Sequence, residues 1–104
     1  MSSYAYIGRL NSRSHGGGPE KICLCGRSFY QDGGLWRDIY NAVNANRPNT
    51  QQWDWGCWVW QMSKAEMVEF LIQEKYKDYT ENALNMLKNL PDTEDYSLVA
   101  FDDG

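Results

Sequence analysis

Apolar positions follow a two-residue period along Gln51–Met62, which predicts a β-strand in the middle of the chain. The first parity carries Trp53, Trp55 and Cys57, and the second carries Trp58, Trp60 and Met62. Because a strand has period two, the two sets point to opposite faces, unless a bulge at Gly56 shifts the register. Both arrangements predict a core strand. The alternative is that one or two of these rings are exposed binding anchors.

A helix is predicted directly after this strand. Ser63 and Glu66 form a Ser-x-x-Glu pattern before an apolar run, which is typical of a capping box, so the helix should begin at Lys64 and extend to about Tyr76. Its apolar face is expected to contain Ala65, Met67, Val68, Leu71, Ile72 and Tyr76.

Phe70 falls on the polar side of this predicted helix, between Glu66 and Glu74. A phenylalanine among carboxylates is either covered by another segment or exposed as a contact residue. The sequence therefore predicts a partner-binding patch that consists of Glu66, Glu69, Phe70, Gln73 and Glu74.

The other elements follow from hydrophobic periodicity and turn residues. The predicted strands are Ser3–Leu10, Ile22–Leu24 and Tyr96–Phe101, and the predicted further helices are Leu35–Ala45 and Tyr79–Asn89. With the tryptophan-rich strand and its helix, the order is β-β-α-β-α-α-β. This order predicts one α+β domain over residues 1–104, with a mostly antiparallel sheet of about four strands and three helices. Residues 11–21 are expected to form a flexible glycine-rich loop, and residues 102–104 a frayed acidic C-terminus.

Composition narrows the class of protein. The 104 residues are 42% hydrophobic and 14% aromatic, which is typical of a folded globular chain. No apolar run approaches the roughly 20 residues of a membrane helix, and no signal peptide is visible. Three cysteines, Cys23, Cys25 and Cys57, fit neither a disulfide framework nor a standard zinc motif. We therefore expect reduced thiols, no metal, no cofactor and a cytoplasmic location.

Charge is divided unevenly along the chain, although the net charge is only −4. Residues 1–50 contain six Lys/Arg and three Asp/Glu, a balance of +3, whereas residues 51–104 contain four and eleven, a balance of −7. Such asymmetry favours a partner with a strong electrostatic field.

The loop around Gly17 is a second candidate site. Backbone N–H groups of three consecutive glycines, with Arg9, Arg13 and His15 nearby, could bind an anion. However, no phosphate-loop or dinucleotide motif is present, and a lone histidine in a glycine-rich loop is a poor general base. Helix-turn-helix binding of DNA is also disfavoured, because the segment 63–90 has a net charge of −1.

These observations favour a non-enzymatic, acidic binding protein of the immunity or inhibitor kind. It would neutralise a basic protein such as a bacterial toxin or a nucleic-acid-handling complex. The alternative is an accessory or assembly domain that pairs with a partner or with its own copy, as a homodimer, through the tryptophan-rich strand. A second alternative is a small anion- or nucleotide-binding enzyme that uses Arg9, Arg13, His15 and Gly17.

Overall fold

The computed structural model describes residues 3–9, 20–25, 34–54, 56–77 and 80–102. In chain order these residues form β1 (Ser3–Arg9), β2 (Glu20–Leu24), α1 (Leu35–Asn44), β3 (Thr50–Asp54), β4 (Cys57–Ser63), α2 (Lys64–Leu71), a short 3-10 helix (Glu74–Tyr76), α3 (Glu81–Lys88) and β5 (Asp95–Asp102). The α+β class and the single small domain are confirmed. The sheet has five strands rather than about four.

All five strands belong to one antiparallel sheet in the order β2-β1-β5-β4-β3. The first and last strands of the chain therefore lie side by side in the centre, and Ser3 pairs with Asp102. The predicted fray at residues 102–104 is wrong for Asp102, which belongs to β5. Likewise Glu20 and Lys21, expected in the 11–21 loop, belong to β2, and the rest of that loop lies outside the described residues.

The tryptophan-rich stretch is a hairpin rather than one strand, which explains the extra strand. Gly56 has φ of +79°, and its carbonyl accepts a hydrogen bond from the backbone N–H of Asp102 at 2.8 Å. A side chain at this position would overlap the Asp102 carbonyl group. Only glycine combines this left-handed conformation with so close a backbone approach. The register shift lies between Gln52 and Asp54 in β3, and not at Gly56 as the bulge hypothesis required.

Both faces of the sheet are apolar, as one arrangement of the sequence pattern required. Trp58, Trp60 and Met62 pack on the face that carries the helices. Cys57 and Val59 belong to a separate buried cluster on the other face, together with Tyr6 and Val99. The change of parity in the sequence therefore separates residues that point to opposite faces of the sheet, and no bulge places the two sets on one face.

The helices pack on one face of the sheet. Trp36 of α1 is 8% exposed and donates a hydrogen bond from Nε1 to the Phe101 carbonyl at 3.1 Å, which docks α1 onto β5. The predicted capping box of α2 is present, because the Ser63 side chain accepts from the Glu66 N–H and the Glu66 carboxylate accepts from the Ser63 N–H.

The C-terminal end of α2 differs from the prediction. The α2 helix ends at Leu71 instead of continuing to Tyr76, and Ile72, expected in the apolar face, is 59% exposed. The buried Thr80 hydroxyl lies 2.9 Å from the Tyr76 carbonyl and 3.2 Å from the Leu71 carbonyl. Thr80 thus joins the end of α2 to the start of α3. In the part of the chain that the structure describes, no helix is long and apolar enough to cross a membrane.

Candidate functional site

The predicted partner-binding patch lies beside a groove at the junction of β4 and α2. We call this concave surface the α2 groove, and its volume is about 580 Å³. Its lining consists of Arg47, Pro48, Asn49, Trp60, Gln61, Met62, Glu66, Glu69, Phe70 and Gln73. The groove arises because β3 begins only at Thr50, opposite Trp60, so that the last residues of β4 extend beyond their neighbour.

One wall of the α2 groove is the turn between α1 and β3. Asn46 and Asn49 both have left-handed backbone conformations, with φ of 56° and 63°. Asparagine tolerates this region better than most residues because its short polar side chain can bond locally. The Arg47 N–H donates to the Ala42 carbonyl at 3.1 Å, and the Thr50 hydroxyl donates to the Arg47 carbonyl at 2.6 Å. These bonds fix the backbone from which the Arg47 side chain projects.

The floor of the groove is aromatic. The rings of Trp60 and Phe70 meet edge to face with centroids 5.1 Å apart, and Phe70 also contacts Tyr76 at 5.4 Å. The Arg47 guanidinium carbon lies 6.0 Å from the centroid of the Trp60 ring. Phe70 is half-buried. Of the two sequence alternatives for this ring, covered or exposed, each holds for one side: neighbouring rings cover one side, and the other side is exposed in the groove.

The opposite wall consists of Glu66 and Glu69 of α2 and of Gln73, which follows the end of that helix. Hydrogen bonds from the backbone N–H and side chain of Ser63 hold the pKa of Glu66 below its ordinary value, which favours its charged form. Glu69 is exposed and forms no ion pair with any described residue. The Gln73 side-chain amide donates to the Phe70 carbonyl at 2.8 Å, so it closes the C-terminal end of the helix.

Four of the five predicted patch residues thus line one groove, and the fifth does not. Glu74 lies in the 3-10 helix beyond α2, where its carboxylate forms an ion pair with Lys77 at 2.7 Å. The expected helical stripe placed Glu74 beside Glu66 and Phe70, but α2 ends before it. Whether the four residues bind a partner remains a prediction.

A second, smaller concavity of about 330 Å³ adjoins the α2 groove and shares Arg47, Trp60, Phe70 and Gln73 with it. Its own lining includes Asp38, Lys75 and Tyr76. The Tyr76 hydroxyl donates to the Asp38 carboxylate, which also pairs with Lys75 at 3.3 Å. These contacts tie α1 to the 3-10 helix. The two concavities meet along the Trp60 and Phe70 rings.

The predicted anion site is not assembled by the described residues. Arg9 pairs with Glu94 at 3.1 Å, and its guanidinium carbon lies 6.0 Å from the centroid of the Tyr96 ring. Arg13, His15 and Gly17 lie outside the described residues. Arg9 is therefore already used in a contact between β1 and the turn before β5.

The cysteines are poorly suited to nucleophilic chemistry. Burial raises the pKa of the Cys25 thiol to about 12, with a smaller contribution from Cys23, and burial also raises the pKa of Cys23. A thiolate is the reactive form, so these thiols are weak nucleophiles and weak metal ligands near neutral pH. Among the described residues, no three His, Cys, Asp or Glu side chains converge on a point that could hold a metal ion.

Sequence reasoning missed Arg47. It placed Trp60 in a core strand, and the alternative of exposed binding anchors did not single out this ring. Arg47 stands in the segment Asn46-Arg-Pro-Asn49, which lies between the predicted helix Leu35–Ala45 and the predicted strand Gln51–Met62. The two asparagines around Arg-Pro were the available signal, because asparagine favours the left-handed conformations of tight turns. The contribution of Trp60 to the groove depends on where β3 begins, which the alternation pattern of the sequence does not reveal.

In comparisons with known proteins, the chain matches no family model, and no curated protein and no solved structure shows significant similarity to it.

Proposed function

We propose that this protein is a non-enzymatic binding protein of the immunity or inhibitor kind, and that its α2 groove docks a basic protein partner. A bacterial toxin or a nucleic-acid-handling complex would be a partner of this class. The observation that carries the proposal is the convergence of Glu66, Glu69 and Phe70 in one concave surface with an aromatic floor. Acidic groups would speed encounter, and half-buried rings would supply the desolvated contact.

The distribution of ion pairs supports this location. Asp92, Glu94 and Glu74 are each paired with a lysine or arginine of the same chain. Glu69 has no such partner among the described residues, and Glu66 is held charged by its cap. No described lysine or arginine neutralises the acidic charge on the groove wall through an ion pair, which makes this charge available to an external cation.

The test begins with affinity purification from the native host and continues with binding kinetics on the recovered protein. Glu69→Lys should slow association and reduce its dependence on salt, since exposed charges are screened over about 8–10 Å at physiological ionic strength. Glu66→Gln is the better change at the second position, because glutamine preserves the capping box. Glu81→Lys, an exposed reversal on α3, is the matched control.

The proposal requires one-to-one binding that Glu69→Lys weakens more than Glu81→Lys does. Equal effects of the two reversals would mean that the partner senses only net charge, and the groove would lose its role. The three free cysteines support a reducing compartment, and we propose the cytoplasm.

A second candidate, self-association through the tryptophan-rich hairpin, is favoured by the position of β3 at the edge of the sheet. The Gln61 N–H donates to the Asn49 carbonyl at 2.9 Å. Since hydrogen-bonded pairs alternate along an antiparallel ladder, the backbone N–H and C=O groups of Thr50 and Gln52 point away from β4. Unpaired edges of this kind can accept another strand.

Sedimentation velocity over a range of concentrations tests this second candidate. Gln52→Pro removes an outward donor and leaves the β3–β4 ladder intact, so it should abolish any dimer without unfolding the chain. A monomer at all concentrations, or a dimer that persists in Gln52→Pro, would contradict pairing through β3.

A further inference from the structure

We propose that the α2 groove recognises a segment of mixed charge: a cationic side chain contacts Glu66 and Glu69, and a neighbouring carboxylate contacts Arg47. This inference rests on the proposed function and adds a specificity determinant to it. Arg47 would reject a segment that is basic throughout and would select one in which an acidic residue accompanies the basic one.

The state of Arg47 is the first argument. Arg9, Lys64, Lys75 and Lys77 each lie within 3.3 Å of a carboxylate oxygen. Arg47 is exposed and has no carboxylate partner among the described residues, although it lies in the acidic groove. Its guanidinium instead lies over the Trp60 ring. A guanidinium can stack on an aromatic ring and still present its N–H groups to a carboxylate in bidentate geometry.

The second argument is that hydrogen bonds fix the backbone of the turn that carries Arg47. The left-handed Asn46 and Asn49 flank Arg47 and Pro48. The Arg47 N–H donates to the Ala42 carbonyl, and the Thr50 hydroxyl donates to the Arg47 carbonyl. Proline further restricts the backbone. The backbone of Arg47 is thus held in place, and its guanidinium lies over Trp60 without an ion pair to any described carboxylate. A group fixed before binding loses less conformational entropy when a ligand arrives.

The separation of charges across the groove is the third argument. Arg47 stands on the α1–β3 turn and Glu69 on α2, and they form no ion pair with each other. A ligand with only positive charge would satisfy the glutamates but would place a cation near Arg47. A ligand that carries both a positive and a negative charge would form favourable contacts with the glutamates on one wall and with Arg47 on the other. Selection against the wrong charge is a common source of specificity.

The shape of the surface indicates that the ligand is extended. The groove continues past the Trp60 and Phe70 rings into the second concavity, where the Lys75 and Asp38 charges already pair. The Asn49 amide is suited to hydrogen bonds with a peptide backbone, and so is the remaining capacity of the Gln61 and Gln73 amides, which already donate to Asp95 and Phe70. A peptide segment of several residues therefore fits better than a compact ion.

A displayed library of random heptapeptides is the probe. Selection on the wild-type protein should enrich peptides with a basic and an acidic residue at a constant separation. Arg47→Glu should lose the acidic preference and keep the basic one, whereas Glu69→Lys should lose the basic preference. Lys88→Glu, an exposed reversal on α3, is the matched control and should resemble the wild type. Circular dichroism of each variant establishes that it is folded.

The affinity of the best wild-type peptide then measures the contact. Replacing its acidic residue by the amide should weaken binding by roughly tenfold or more, as for loss of a hydrogen bond to a charged group. The same replacement should have little effect on Arg47→Ala, because the partner is already absent. Equal losses on wild type and Arg47→Ala would overturn the assignment of Arg47.

The outcomes separate the two proposals. Enrichment of basic peptides with no acidic preference would leave the proposed function standing and overturn the role of Arg47. Failure to enrich any peptide on the wild-type protein would overturn both, because the groove would then be no docking site for a peptide segment.

Discussion

Trp60 and Phe70 meet edge to face with ring centroids 5.1 Å apart, and this contact joins the end of β4 to α2. Phe70 belongs to the edge of the main core cluster and also lines the α2 groove. One ring therefore contributes to both folding and the candidate binding surface. Mutations at this position have to be designed so that the two contributions can be separated.

Phe70→Ala should lower the free energy of unfolding by about 1–3 kcal/mol, less than full truncation of a buried ring, because Phe70 is only half-buried. It should also speed dissociation of a bound partner. Phe70→Leu is the control, since it retains most of the apolar volume and removes the aromatic face. Chemical denaturation and dissociation rates measure the two effects. A Leu variant that binds normally would show that the groove needs only apolar volume at this position.

Trp58→Ala should lower the free energy of unfolding by about 3 kcal/mol, the low end for a core aromatic ring, because Trp58 is half-buried but packs edge to face on Trp36 at 5.5 Å and on Tyr40 at 4.9 Å. Gln52→Ala is the matched control, since Gln52 pairs with Trp58 in the ladder but is exposed. Urea denaturation followed by circular dichroism measures both. A loss below about 1 kcal/mol for Trp58→Ala would mean that this ring contributes little to the core.

Gly56→Ala should destabilise the protein by about 1–3 kcal/mol through its positive φ alone, and by more through the clash with the Asp102 carbonyl. A D-alanine at position 56 should avoid both costs, because it accommodates positive φ and directs its methyl group away from that carbonyl. The variant is accessible by native chemical ligation at Cys57. If the L- and D-alanine forms unfold at the same denaturant concentration, the backbone conformation of the hairpin is not what requires glycine.

The pKa of Glu66 should be lower in the folded than in the unfolded protein, because the capping box favours its charged form. A depressed folded-state pKa means that the cap contributes its stability above the ordinary glutamate pKa. That contribution is lost as the pH falls through the folded-state value. NMR titration of the side-chain carboxyl carbon in native protein and in urea measures the difference. Equal pKa values in the two states would contradict the charged cap.

Local signals in the sequence predicted the α+β class, the capping box and the start of α2 at Lys64. Ser63 and Glu66 are three residues apart and interact within one helical turn, so no distant contact decides the outcome. The parity change around Gly56 also carried real information, since it separates two faces of the sheet. Its interpretation as a bulge failed because a single-residue insertion and a tight turn leave similar patterns.

The candidate site was only partly predictable for a different reason. Glu66, Glu69 and Phe70 lie on one helix, so their spacing alone brings them together, and Gln73 follows two residues after the end of that helix. Arg47 reaches them from another part of the chain, through the pairing of β3 with β4. Glu74 leaves the patch because α2 ends at Leu71, where the buried Thr80 hydroxyl meets the helix carbonyl. Both differences depend on tertiary contacts, which periodicity does not contain.

The central pairing of β1 with β5 has a consequence for how the chain folds. These neighbours in the middle of the sheet are separated by almost the whole described chain. Contacts between distant segments carry a large loop-closure entropy and slow the folding reaction. On the ribosome, β1 and β4 must wait for β5 before the sheet can close, while the β3–β4 hairpin and α2 can form earlier. We therefore expect the sheet to close only after β5 has emerged from the ribosome, with the groove assembled around a local nucleus.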